Sequence, residues 1–341
     1  MFVIGSVRSV ERDPSILLKT VLSLRKKPNV PIYLPGIAKP SNLATIVFSG
    51  IDLVDDTACI IHALDGIYFT RDEELPLSDV SPDIMCGCEA CIALSRGCEN
   101  RTRLLYLHNL FVLKKEMEII RYKLVRGKLR EYVEGKTAFS DWNNVFLSTH
   151  DEFYDEIEPF VHVFSKTKIF AGTDRTIKRV EIRRFVERLK TRYEPKGEIA
   201  LFLPCSAKKP YSLSRTHRIF RSITEDFEVS EFILTSPLGV VPRELEMVYP
   251  ASHYEIPISG VWSECELQWL SQCVADITRR GDFKHVVVHA EGGFAEGCKR
   301  AEEILGDEFI YTSKGNATSK ESLSELRNVL ESIANPKKKA N

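Results

Sequence analysis

Short apolar runs alternate with helix-length stretches twice along this chain, and little outside the α/β class accommodates that rhythm. In residues 1–90 the runs Phe2–Ser6, Pro31–Leu34, Asp52–Val54 and Gly66–Thr70 read as strands, with Pro14–Lys26 and Pro40–Phe48 as helices. Strand–helix–strand units with short connections call for a mainly parallel sheet. A closed (β/α)8 barrel takes about 250 residues, so this region supplies only part of one: either its sheet is open or the other half comes from elsewhere. Glu194-Pro195-Lys196-Gly197 breaks the pattern. The rhythm then resumes, with strands expected at Ile199–Leu203, Phe232–Thr235, Tyr254–Ile258, His285–His289 and Glu308–Thr312 and helices at Glu264–Arg280 and Phe294–Leu305. The second region therefore reads as a three-layer α/β domain with a mainly parallel sheet.

At 341 residues, 43% of them hydrophobic, the chain can bury two cores. The expected division is residues 1–136, a linker and basic helix over 137–195, a domain over 196–335, and a basic tail at 336–341. The linker carries an acidic stretch, Asp151–Glu158, and ends in a helix over Val180–Tyr193. There Arg183, Arg184, Arg188 and Arg192 recur at near-helical spacing, a row able to track a phosphate backbone. A formal net charge of −1 excludes a strong overall field for nucleic acid, so such a partner must be met by local patches. Lys114–Lys136 holds eight Lys/Arg against four Asp/Glu, and Lys166–Arg192 ten against three. Each patch reads either as a contact surface or as a solvated helix face. Nine cysteines without a secreted disulfide pattern fit a reducing compartment. With no basic leader and no apolar run of membrane-span length, a cytoplasmic protein is expected.

Three of the cysteines form Cys86-Gly87-Cys88-Glu89-Ala90-Cys91, and His108 follows 17 positions later. Three thiolates and an imidazole make a closed tetrahedral set suited to structural Zn²⁺, with no open position for a catalytic water. Cys98 is a rival fourth ligand, and buried free thiols are the alternative. The metal segment, about residues 84–130, would run into a helix over Asn109–Glu131. The full fold class is thus α/β: a partial, half TIM-barrel-like domain with a zinc subdomain, plus the C-terminal three-layer α/β domain.

The densest chemistry lies in Pro204–His217, between the strand Ile199–Leu203 and a helix from Ser214. That is where open parallel sheets bind ligands. Cys205, at a strand end beside Lys208, Lys209 and His217, is expected to favour thiolate, against a buried inert cysteine as the plain alternative. His217 reads as an acid or base. Ser214, three residues earlier, either orients it or simply caps the helix. Tyr211 offers a stacking face and a hydroxyl. Two further loops, Ser236-Pro237-Leu238-Gly239 and His289-Ala290-Glu291-Gly292-Gly293, reach the same sheet edge and can line a common pocket, bringing Ser236, His289 and Glu291 with them.

Tyr33-Leu34-Pro35-Gly36-Ile37-Ala38-Lys39-Pro40, Gly50-Ile51-Asp52-Leu53-Val54-Asp55, the cysteine cluster and Arg103–Leu110 follow the order seen in tRNA-guanine transglycosylases. The likeness covers residues 1–130 and implies the second half of that family's barrel with its zinc subdomain. Asp52 falls at the position of the family's nucleophile. The barrel's first half is expected to be absent, however, and Asp-Leu-Phe-Asp reads Asp52-Leu53-Val54-Asp55, so Asp52 is expected to be structural. Pro204-Cys205-x3-Lys209-Pro210-Tyr211-x2-Ser214-x2-His217 resembles the signature of archaeosine synthases, a divergent branch of the same family. Leu238–Glu246, with Arg243 and Glu244, and Tyr249-Pro250 also resemble that family's C-terminal domain.

The resemblance implies addition of an amine to the nitrile of 7-cyano-7-deazaguanine in the D-arm of tRNA. Free lysine is the favoured donor, glutamine or another amine the alternative, and a radical-SAM partner enzyme would then cleave the amidine-linked adduct. Cys205 would form a thioimidate, with His217 shuttling protons and Lys209 or Arg243 contacting phosphate or donor carboxylate. The expected absence of the front half-barrel and of a PUA module implies a separate subunit or a homo-oligomer. A non-catalytic, zinc-stabilised tRNA-binding subunit is the rival reading.

Overall fold

Three parallel strands in the order Phe2–Val3, Ile32–Leu34, Leu53–Val54 form the sheet of the first of two units, Met1–Pro159, in the computed structural model. The structure describes residues 1–5, 7–27, 29–257 and 260–333, so the end of the first expected strand, that of Tyr254–Ile258 and the basic tail lie outside it. Asp52 ties the sheet together: its Oδ2 accepts from Ile32 N and from Arg25 Nη2, each at 2.8 Å. Asp55 performs the same service for the Gly36 turn, accepting from Gly36 N at 2.9 Å and from the Tyr33 hydroxyl at 2.6 Å. Helices Pro14–Arg25, Leu43–Phe48 and Thr57–Leu64 make the connections. The first of them starts on the Asp13 cap, which accepts from Ser15 N.

The fourth expected strand does not extend that sheet. Ile67–Phe69 turns back and pairs antiparallel with Glu74–Pro76, making a separate ribbon with Tyr68 and Phe69 fully buried.

Residues 137–195 do not run as one connector. Helix Asp141–Glu152 buries Phe146 and Leu147 in the first unit, and Asn143 bonds Thr45 and the Ser41 carbonyl. The acidic stretch misleads because Asp151 is not solvated: Arg130 grips both its oxygens, at 2.6 and 2.8 Å, in the interior. Lys136 is likewise buried against Asp72 and Glu116. Two of the eight cations of the first basic patch, Arg130 and Lys136, are therefore spent on internal ion pairs.

The second unit, from Phe160 onward, is built on a five-stranded sheet ordered Ile310–Tyr311, His285–Val288, Ile199–Pro204, Ser230–Thr235, Gly239–Pro242. The first four are mutually parallel and the last is antiparallel. That last strand was not expected. Ser236–Leu238 is the tight turn of a hairpin, and Gly239 takes φ +70° with Cys273 packed against it, where a Cβ would stand 2.5 Å from the sulfur. Tyr254–Glu255, expected in the main sheet, instead pairs with Ile169–Phe170. One face is covered by Glu264–Arg280, Gly293–Leu305 and Val180–Arg192, whose Ile182, Phe185, Val186 and Leu189 enter the core. The other is covered by Arg215–Thr224 and Lys320–Ile333. This is the expected three-layer arrangement, with the strand before Cys205 at its centre. No helix among the described residues is long and apolar enough to cross a membrane.

Candidate functional site

In the first unit, Cys86, Cys88 and Cys91 meet His108, with all four ligand atoms within 4.8 Å of one another. His108 Nδ1 lies 3.4, 3.6 and 3.1 Å from the three sulfurs in that order. Its Nε2 donates to the Phe69 carbonyl at 2.8 Å, which leaves the Nδ1 lone pair facing the thiols. Tyr68 stacks on the imidazole at 3.8 Å and contacts Cys91 Sγ through its hydroxyl, so the antiparallel ribbon is the wall of this cluster. Cys98 is exposed and stands outside it. The donor set fits a metal ion of tetrahedral, thiolate-tolerant chemistry.

In the second unit the Pro204–His217 turn carries the second constellation. Cys205 follows the central strand, and its N–H donates to the Leu234 carbonyl at 3.0 Å. Lys209 Nζ sits 4.0 Å over the Tyr254 ring. Behind it runs a buried hydroxyl chain: Tyr211 to Tyr254 at 2.6 Å, then Tyr254 to Thr235. Burial raises the Cys205 thiol above its ordinary value, with Thr235 and Lys209 opposing; burial also lowers the Lys209 ammonium. The expectation that Cys205 rests as thiolate is thus reversed. Lys208 is exposed, Lys209 is the partner that reaches the site, and desolvation outweighs its charge.

His217 is fully buried, and Arg243 Nη2 donates to its Nδ1 at 2.8 Å. Arginine can only donate, so Nδ1 is the acceptor and Nε2 carries the proton. Nε2 itself has no hydrogen-bond partner among the described residues. Burial and the Arg243 charge hold the imidazole at about 3, against a smaller opposing pull from the Pro204 carbonyl. A ring so placed rests neutral, which weighs against the expected proton shuttle. Ser214 takes the plainer of its two readings: its Oγ accepts from His217 N at 3.1 Å and caps helix Arg215–Thr224. Arg243 is not free for phosphate or donor carboxylate, since Nε donates to Glu231 at 2.7 Å and Nη1 to Glu246 at 3.2 Å.

The remaining expected residues are also engaged. Ser236 donates to Glu266 at 2.6 Å, and the exposed Glu244 accepts from the Tyr193 hydroxyl at 3.0 Å. His289 is fully buried, with Thr312 on Nδ1 at 2.8 Å and the Ala317 carbonyl on Nε2 at 2.7 Å, so it has no nitrogen left for a substrate. Glu291 accepts from Ala317 N, fastening the same loop. The site residues that sequence reasoning missed are Tyr254 and Thr235. Thr235 was visible only as a strand end and Tyr254 only as a strand start, and neither position announces a hydroxyl chain.

The queuine tRNA-ribosyltransferase family model matches residues 1–140, and a domain of unknown function, DUF5591, matches residues 182–330. The archaeosine synthase subunit alpha of Methanosarcina acetivorans is 36% identical over 99% of this chain and 56% of its own length. The archaeosine synthase of Haloferax volcanii is 33% identical over 90% of this chain and 53% of its own. The tRNA-guanine(15) transglycosylase of Pyrobaculum aerophilum is 28% identical over 75% and 53%. A crystal structure of a protein of unknown function, 36% identical, covers 46% of this chain and 52% of its own at a TM-score of 0.38. The chain spans about half the length of the curated relatives it matches. Along nearly its whole length the chain is similar to archaeosine synthases, and its first 140 residues match the queuine tRNA-ribosyltransferase model.

Proposed function

We propose that this chain carries the nitrile-modifying part of an archaeosine synthase, adding an amine to 7-cyano-7-deazaguanine in the D-arm of tRNA, with free lysine the favoured donor. The observation that carries the reading is Cys205 at the end of the central strand, within the electrostatic influence of Lys209, whose Nζ lies over Tyr254 in the Tyr211–Tyr254–Thr235 hydroxyl cluster. Lys209 takes the thiol proton as Cys205 Sγ bonds to the nitrile carbon. The displaced π pair on nitrogen then receives that proton, giving a thioimidate. The donor amine adds to the same carbon and loses a proton, and the C–S bond breaks. Its electron pair returns to sulfur, which is reprotonated, leaving an amidine and the starting thiol. The raised thiol and the lowered lysine fit this exchange, since each is nearer to neutral than in water.

The metal is proposed to be Zn²⁺ held by Cys86, Cys88, Cys91 and His108, serving to close the fold. A radical-SAM partner would act on the product, and a separate subunit or a second copy of the chain would complete the tRNA-binding surface.

Incubation with tRNA carrying the cyano base and candidate amines, read by nucleoside mass spectrometry, tests the reading. Adduct is expected with lysine and lost in Cys205→Ala. Full adduct formation by that variant would replace the covalent route with direct amine attack. The internal engagement of His217, Ser214 and His289 favours a second reading, a non-catalytic tRNA-binding subunit. It predicts that Cys205 and Lys209 can both be replaced without loss of modification.

A further inference from the structure

The arginine row on helix Val180–Arg192 does not act as one stripe. Arg184 is buried and donates to the Val161 and His162 carbonyls at 2.7 and 3.0 Å. Arg188 and Arg192, one helical turn apart, are exposed and make no ion pair or hydrogen bond among the described residues. They flank a cavity of about 280 Å³ between this helix and the segment 245–250, lined by Leu245, Tyr193 and Tyr249 with Val248 at its exposed rim. Glu181, the carboxylate at its edge, is held by Arg179 at 3.2 Å. Val248 stays 46% exposed, and Tyr193, Leu245 and Tyr249 are half-buried, so part of the apolar lining is open to solvent.

Two unneutralised cations beside an aromatic and aliphatic trough ask for a ligand that is anionic along one edge and flat and apolar on its face. A duplex satisfies the arginines but keeps its bases stacked inside. An apolar peptide fills the trough and leaves the charges unmet. An unpaired nucleotide uses both, its base on the aromatic lining and its flanking phosphates on the guanidiniums. The volume, close to the ~300 Å³ at the small end of ligand pockets, suits one base. We propose that this groove holds an unpaired nucleotide of an RNA strand; the choice of RNA rests on the tRNA reading above.

The test is fluorescence anisotropy with a short fluorescein-labelled oligouridylate and a duplex RNA of equal length, from low to physiological salt. The chain is expected to prefer the single strand. Arg188→Gln with Arg192→Gln should weaken binding and make the slope of log K against log salt shallower by about 1.4, or about 0.7 per lost phosphate contact. Tyr249→Leu should weaken binding on the order of tenfold and leave the slope unchanged, since stacking carries no counterion release. Tyr249→Phe should bind normally. If Tyr249→Leu does not fold, Val248→Glu at the exposed rim replaces it and should also weaken binding. Absence of RNA binding, equal affinity for the duplex, or an unchanged slope in the arginine variant would each overturn the proposal. The nitrile reading is judged separately by nucleoside mass spectrometry, so the two can fail independently.

Discussion

Acid should destabilise the second unit through His217. Its imidazole is held at about 3 against an ordinary 6.5, so between those values the unfolded chain binds a proton that the folded chain refuses. Stability is therefore unaffected by this group above about pH 6.5, falls as pH drops below it, and stops falling near pH 3. The full window corresponds to about 5 kcal/mol, and at about pH 4.5 the expected loss is about 3 kcal/mol. His217→Asn keeps an acceptor for Arg243 where Nδ1 stands but cannot titrate, so its stability should lack this component. Urea unfolding at several pH values measures it. With Trp142→Phe the tryptophan fluorescence comes only from Trp262 and Trp269 of the second unit, which separates the signal from acid release of metal in the first. Parallel pH profiles for the parent chain and His217→Asn, with the variant no flatter than the parent, would refute a buried neutral imidazole.

The metal cluster should hold one equivalent of zinc by elemental analysis. His108→Ala or Cys91→Ser should lose it with the first unit's thermal transition lowered, while Cys98→Ser should retain it, because Cys98 stands outside the cluster. Asp151→Ala removes the carboxylate that both Nη groups of Arg130 bond and leaves Glu134, 2.8 Å from Nε, to hold the charge, so it should cost about 1–3 kcal/mol, read by urea unfolding of the first unit through Trp142. Ser214→Ala should cost about 1 kcal/mol of stability and leave turnover intact; loss of turnover in a folded variant would return Ser214 to the reaction.

What the sequence made legible was periodic or closely spaced. Glu264–Arg280 is the helix expected from its pattern, and the Ser263 capping box explains why its start was so clear. The convergence of Cys86, Cys88, Cys91 and His108 needed only spacing and residue type. What stayed hidden was set by distant partners. Asp151 reads as a solvated acid until Arg130, 21 positions away, is brought onto it. His217 reads as a catalytic base until Arg243, 26 positions later, takes its Nδ1. Gly239–Pro242 was concealed because Ser236-Pro237-Leu238-Gly239 has loop composition, and a hairpin turn and a loop draw on the same residues.

With His217 and His289 both bonded internally, the proton traffic of the proposed reaction falls to Lys209, and that assignment has a pH signature. Burial lowers the Lys209 ammonium, so its neutral, proton-accepting form is reached below the ordinary lysine value of 10.5. The rate of adduct formation should rise with pH along an alkaline limb, and no inflection should fall near 6.5, since burial holds both histidines lower. A donor amine that is neutral across the range removes the donor's own titration from the profile. Under that condition Lys209→Arg, which keeps the cation over Tyr254 but cannot give up its proton, should abolish the limb. An inflection near 6.5 that disappears in His217→Asn would return the shuttle to the imidazole. A limb that persists in Lys209→Arg would instead assign it to direct ionisation of the Cys205 thiol.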